Sequence, residues 1–233
     1  MGRYFISNLT CASALFISLL LSVPVHASQG AQPSFDCRKA ASHAEKTICA
    51  DAALARLDSQ MGRTWKRLLD AFDTEDAQQT QMKQDQRAWT ARRDQCADAD
   101  CIGKLYRDRL SALDGTDPAH RFSGLYEVKE GFFALYPIGD RYLVHIQSAE
   151  PHDGRWECDL NGEADASGDD LRVNVEGTVF PAHLGDTKTL VVGDGASVYK
   201  AASMFCGLNG TFAFSYLRVR LDVEAQKILL THP

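Results

Sequence analysis

The sequence predicts an α+β architecture: a disulfide-stapled antiparallel helical hairpin or bundle, followed by a small antiparallel β-sandwich or barrel. Three observations predict it. Apolar residues recur at steps of three and four between residues 51 and 113, then at steps of two beyond Phe122. Turn-forming pairs recur through the second part at spacings that suit a meander. The six cysteines beyond residue 27 fall into a group of four in the helical part and a group of two in the β part.

The first 27 residues carry Arg3 as their only charge, an apolar stretch from Ala12 to Val25 and the small-x-small triplet Val25-His26-Ala27. This is the form of a cleaved export signal. Cys11 precedes the apolar stretch, whereas a lipidated cysteine would follow it, so a soluble mature chain beginning near Ser28 is expected. No later segment approaches the roughly 18 uninterrupted apolar residues of a membrane span. The expected plan is a signal at 1–27, a helical domain at 28–115, a linker at 116–120 and a β domain at 121–233.

Within the helical part, Ser42-x-x-Glu45 has the form of a capping box and Asp51 can cap a longer second helix. That helix carries Leu54, Leu57, Met61, Trp65, Leu68 and Phe72 on one face. After the polar stretch Asp73 to Gln79, the sevenfold spacing of Met82, Trp89 and Cys96 predicts a second long helix, antiparallel to the first, with Trp65 and Trp89 in a shared core. Ala97-Asp98-Ala99-Asp100 interrupts the pattern. Ile102, Leu105, Tyr106, Leu110 and Leu113 then define a closing helix that stops near Gly115, and Asp117-Pro118 marks the linker.

Beyond it, Tyr142, Val144 and Ile146 alternate with Leu143, His145 and Gln147, and Leu171, Val173 and Val175 with Arg172, Asn174 and Glu176. Both runs predict half-buried strands. Turns are expected at Gly139-Asp140, His152-Asp153-Gly154, Gly168-Asp169-Asp170, Gly185-Asp186 and Gly193-Asp194-Gly195. A further strand is expected around Ser197 to Lys200, and a last long one through Phe212, Phe214 and Tyr216.

An even cysteine count in an exported chain favours disulfides. Six cysteines allow 15 pairings; bonds within each segment are the economical expectation, joining Cys37 to Cys49, Cys96 to Cys101 and Cys158 to Cys206. Zinc is the competing reading, but no Cys-x-x-Cys pair and no suitably spaced His accompanies these cysteines. No cofactor or metal is expected.

Charge is uneven. Residues 28–115 hold 14 Lys and Arg against 14 Asp and Glu, while residues 116–233 hold 10 against 17. Such a field disfavours nucleic acid and anionic membrane and speeds encounter with a basic partner. The usual catalytic signatures are missing: no His-Glu-x-x-His, Gly-x-Ser-x-Gly or phosphate-binding glycine loop is present. Ser197-x-x-Lys200 has an acyl-enzyme spacing but falls in an expected strand and lacks partner motifs. His43, His120, His145, His152, His183 and His232 are scattered singly and are expected at the surface, and the acidic loop Asp165 to Asp170 lacks EF-hand alternation.

One set of residues stands apart: Phe35-Asp36-Cys37, then Glu45-Lys46-Thr47-Ile48-Cys49-Ala50-Asp51, then Gln86-Arg87-Ala88-Trp89-Thr90-Ala91-Arg92-Arg93-Asp94-Gln95-Cys96, then Cys101 and Arg109. By helical spacing, Gln86 and Arg93 share the Trp89 side, and Arg87 with Asp94 lies on an adjoining one; Arg–Asp pairs in such positions tie helices together or cap their ends. The set resembles the N-terminal domain of the LprI-type lysozyme inhibitors, bacterial envelope proteins whose pattern includes a Cys, a Glu shortly before Ile-Cys, and a Gln-Arg-x-Trp-x-x-x-Arg-Asp helix. The resemblance marks Cys37, Glu45, Cys49, Gln86, Arg87, Trp89, Arg92, Asp94, Cys96, Cys101 and Arg109 as motif positions. It implies a non-enzymatic periplasmic or secreted protein whose partner is a lysozyme or another basic envelope protein. The alternatives are an envelope binding module that holds a small ligand or protein, and a hydrolase using scattered carboxylates such as Glu127 and Glu130.

Overall fold

The computed structural model describes residues 31–72 and 77–222. The expected signal with Cys11, and His232 near the other end, lie outside the described residues.

Helices come first: α1 (His43–Ala50), α2 (Ala52–Asp70), α3 (Ala77–Asp94) and α4 (Ala99–Asp114). The chain's own side chains start and stop them. The Ser42 hydroxyl accepts the Glu45 N–H while the Glu45 carboxylate accepts the Ala41 and Ser42 N–H groups at 2.6 and 3.1 Å, a complete capping box. Asp51 caps α2 and Asp98 caps α4. Gly115, at φ 72°, ends α4 in the left-handed conformation that costs glycine nothing; a Cβ there would run into the Arg218 guanidinium. Leu54, Met61 and Leu68 are buried along α2 and Met82 and Trp89 along α3; Cys96, expected in that helix, is buried just beyond its end at Asp94, and the Trp89 and Tyr106 rings meet edge-on at 5.1 Å. Cys37–Cys49 and Cys96–Cys101 close short loops, and Cys158–Cys206 a longer one. The linker forms a short 3-10 turn, Pro118–His120, capped by Asp117.

The β part is a closed barrel rather than a sandwich, with eight antiparallel strands in chain order. They are β1 (Gly124–Val128), β2 (Gly131–Ile138), β3 (Arg141–Ala149), β4 (Glu157–Ser167), β5 (Asp170–Val175), β6 (Thr178–Leu184), β7 (Thr189–Val191) and β8 (Ser215–Arg218). Tyr126 pairs with Arg218 and Glu127 with Leu217 to close the ring. Eight strands leave an interior just wide enough for side chains. Phe133, Tyr142, Ile146, Leu160, Val173, Phe180 and Tyr216 fill it, so the barrel is a packed core and not a ligand cup.

Several expectations need correction. Leu171, Val173 and Val175 of β5 are buried and alternate with exposed neighbours, as half-buried strands should, but β3 is buried on both faces. Its Tyr142, Val144 and Ile146 point inward, while Leu143 and His145 meet the helices. The stretch around Ser197 is not a strand. Ala196–Phe205 forms a helix, α5, because Val198, Ala201, Ala202 and Phe205 fall on one face and pack against the barrel core. Gly193-Asp194-Gly195 therefore leads into a helix. The last strand is shorter than expected: pairing begins at Ser215, although Phe212 and Tyr216 are buried. Cys206, just past α5, is bonded to Cys158 of β4, and the two residues also pair as an isolated antiparallel bridge. The β5–β6 turn uses Glu176 (φ 49°) and Gly177 (φ 84°), the paired left-handed geometry of a tight hairpin.

The helical part and the barrel share a core. Ile48, Leu68, Trp89 and Leu110 belong to one buried cluster with Leu125, Ala134, Tyr136 and Leu143 of β1, β2 and β3. Trp65 joins it, with its ring 6.0 Å from Tyr136.

Candidate functional site

α3 carries five of the eleven motif positions, Gln86, Arg87, Trp89, Arg92 and Asp94, and two polar networks radiate from it. The first lies among α2, α3 and α4. Arg93, only 6 % exposed, donates through Nε and Nη2 to Asp94 at 2.9 and 2.6 Å and through Nη1 to the Tyr106 hydroxyl at 3.1 Å. Tyr106 in turn donates to Asp58 at 2.5 Å. The other Asp58 oxygen accepts from the Ser34 N–H and hydroxyl at 2.5 and 2.6 Å. Arg93 stands 3.8 Å from Asp58 and over the Trp89 ring at 6.0 Å. Burial, reinforced by the facing Asp58 carboxylate, pushes the Tyr106 phenol up, so it stays neutral and donates.

The second network crosses from the helices to the barrel. Arg109 donates to Asp85 at 2.5 Å, to the Tyr136 hydroxyl at 2.5 Å and, at 3.4 Å, to Gln86. Tyr136, on the outer face of β2, donates to Asp85 at 2.7 Å. Burial first of all drives the Tyr136 phenol up. The Arg109 guanidinium also lies 5.6 Å from the Tyr136 ring.

The other motif positions divide plainly. Glu45 serves the capping box, and its carboxyl is held below the usual range by the Ala41 N–H first and the Ser42 N–H second. Trp89 is core. Arg87 and Arg92 are exposed on α3, and Asp94 faces Arg93. The structure thus brings Arg93 and Asp94 together at one network and Gln86 and Arg109 at the other, leaving Arg87 and Arg92 in solvent.

Sequence reasoning gave no polar role to Asp58, Asp85, Tyr106 or Tyr136, reading Tyr106 only as part of the apolar face of the closing helix, and placed Arg92 among the motif positions where the structure buries Arg93. Two signals were available. Asp58 interrupts the stripe Leu54, Met61, Trp65, Leu68 at a buried spacing, and Arg93 lies four residues after Trp89 on the same face. His145 corrects the expectation of surface histidines. It is 4 % exposed, with Nδ1 2.6 Å from the Ala71 carbonyl at the end of α2 and Nε2 3.0 Å from Asp159, and its ring meets Phe72 and Phe132.

The chemistry of these networks is that of ties. The carboxylates of Asp58 and Asp85 are each met by a phenol and a guanidinium, so neither is left to act as a base. Glu127, one of the two scattered carboxylates, pairs with Arg67 at 3.1 Å. Ser197 does stand at a helix start, contrary to the sequence expectation, but Lys200 is exposed. Among the described residues no group of three or more His, Cys, Asp or Glu could hold a metal, and no helix is long and apolar enough to cross a membrane.

Residues 37–116 match the family described as lysozyme inhibitor LprI. The LprI match covers α1 to α4, both helical disulfides and the helical members of both networks, and stops at the start of the linker; Tyr136 and the rest of the barrel lie outside it. No curated protein and no solved structure matches the chain.

Proposed function

We propose that this is an exported protein that binds and inhibits lysozyme-type muramidases in the bacterial envelope. The observation that carries this reading is the match of residues 37–116 to lysozyme inhibitor LprI. Other features support it. Three disulfides suit an oxidising compartment outside the cytoplasm. Inhibition requires contact, not catalysis, and the polar networks are built as ties. A lysozyme keeps its carboxylate pair in an open cleft that a rigid protein surface can cover. The filled barrel interior argues against a small-ligand carrier.

The test is turbidimetric lysis of peptidoglycan by a basic C-type lysozyme, titrated with the oxidised protein at low and at physiological salt. Dose-dependent inhibition that weakens with salt is expected. Unchanged lysis by C-type, goose-type and phage-type enzymes alike would sink the proposal.

A further inference from the structure

The helix α5 ends the barrel like a lid, and its outer face does not look like an ordinary surface. Val198, Ala201 and Ala202 face the barrel core. Flanking that buried face, Tyr199 is 78 % exposed on one side of the helix and Met204 55 % on the other, and just past the helix Leu208 is 87 % exposed. Among the described residues these are three of the four exposed large apolar side chains, and they fall within ten residues of sequence. Such clustering marks a contact surface more often than scattered exposure does.

The patch is also held rigid. Cys206, at the end of α5, is bonded to Cys158 of β4, and the Gly207 N–H donates to the Glu157 carbonyl at 2.9 Å. The Met204 sulfur accepts from the Thr178 hydroxyl at 3.4 Å. An anchor fixed before binding loses little freedom on docking.

Charge selects the occupant. The same end of the barrel exposes Asp153, Glu157, Glu176 and Asp194 against Arg155 and Lys200, while the Lys129-Glu130 turn adds no net charge. The competing surface on α3 presents Arg87 and Arg92, which would repel a basic protein.

We propose that the α5 end of the barrel is the docking surface for a basic protein, with Tyr199, Met204 and Leu208 as its apolar centre and the four carboxylates as its rim. This rests on the inhibitor reading above and adds to it the face that makes contact.

The test uses the full oxidised chain and a basic C-type lysozyme, read both as binding and as inhibition of lysis. The variants are Tyr199→Ser with Leu208→Ser, the rim set Glu157→Gln, Glu176→Gln and Asp194→Asn, and, as a control, Arg87→Ser with Arg92→Ser. Unchanged thermal melts establish that each is folded. The apolar double variant is expected to bind about tenfold to a hundredfold more weakly. The rim variant should associate more slowly with a flatter salt dependence, and the α3 variant should match the wild type. If the wild type inhibits and the apolar double variant inhibits equally, the surface is overturned while the inhibitor reading stands. If the wild type neither binds nor inhibits, both fall. A wild-type dimer in sedimentation that the apolar double variant abolishes would make the occupant a second copy of this chain and overturn the proposal.

Discussion

The barrel has a wall that meets the helices and a wall that meets water, and the two are built differently from the same kind of strand. In β5, burial alternates strictly between Leu171, Val173 and Val175 and their exposed neighbours. In β3 it runs unbroken from Tyr142 to Ile146. The inward residues are alike; the outward ones are not. Leu143 and His145 stand where Arg172 and Asn174 stand on the wet wall. Side-chain period is two on both walls, so what erases the alternation is a second layer placed over the strand. The helices are therefore not a bead tied to the barrel by a linker but one side of a second core, whose other side is the outer face of β1, β2 and β3.

The comparison can be broken most sharply at Leu143. Leu143→Asp puts an unpaired charge into the core shared by the helices and the outer faces of β1, β2 and β3 and is expected to cost more than about 4 kcal/mol, enough to abolish cooperative folding. Arg172→Asp on the wet wall should stay within about 0.5 kcal/mol in urea denaturation. Equal effects would refute the two-wall description. The same contrast recurs between two adjacent arginines of α3. Arg93→Ala leaves Asp58 and Asp94 without their cation and is expected to cost about 3–5 kcal/mol, whereas Arg92→Ala should be nearly silent by the same measurement.

At the seam itself, Tyr136→Phe removes the hydroxyl shared by Arg109 and Asp85. A loss of about 1–3 kcal/mol is expected; no loss would mean that the seam is held by packing alone. Among the buried or hydrogen-bonded ties the smallest expected loss belongs to Glu45, in the capping box of α1. Its carboxyl titrates below the ordinary value of about 4.3, so its contribution is present above that pH and is lost as the pH falls through the lower folded value. Glu45→Gln should cost under about 1 kcal/mol at pH 7, given its partial exposure. The gap from the wild type should close in acid, as read from urea midpoints across a pH series.

How much of this was legible depends on how local the cause is. Helix boundaries at Ser42, Asp51 and Gly115 are set by contacts a few residues long, and the sequence displays them. The alternation of β5 is likewise visible because water lies on one side. The helix α5 was missed because its flanking glycines resemble hairpin turns, although Val198, Ala201, Ala202 and Phe205 already had helical spacing. The networks were hidden for another reason: Asp58 meets Tyr106 across 48 residues and Arg109 meets Tyr136 across 27. A helix wheel can show that Asp58 lies on the buried face, but not which donor meets it.

The closure of the ring also orders events in time. The pairing of Tyr126 with Arg218 joins the first strand of the barrel to its last, so no partial barrel can complete itself until the chain has been delivered as far as Arg218. The helical part has no such wait, because Cys37–Cys49 and Cys96–Cys101 span only 12 and 5 residues. In a chain that emerges amino end first, the helices can stand as a finished platform, with Leu68 and Trp89 ready to receive the outer faces of β1, β2 and β3 as each strand arrives. During that interval the growing sheet has two open edges, β1 and its newest strand, exposed to other chains, and the arrival of β8, which pairs with both β1 and β7, removes them.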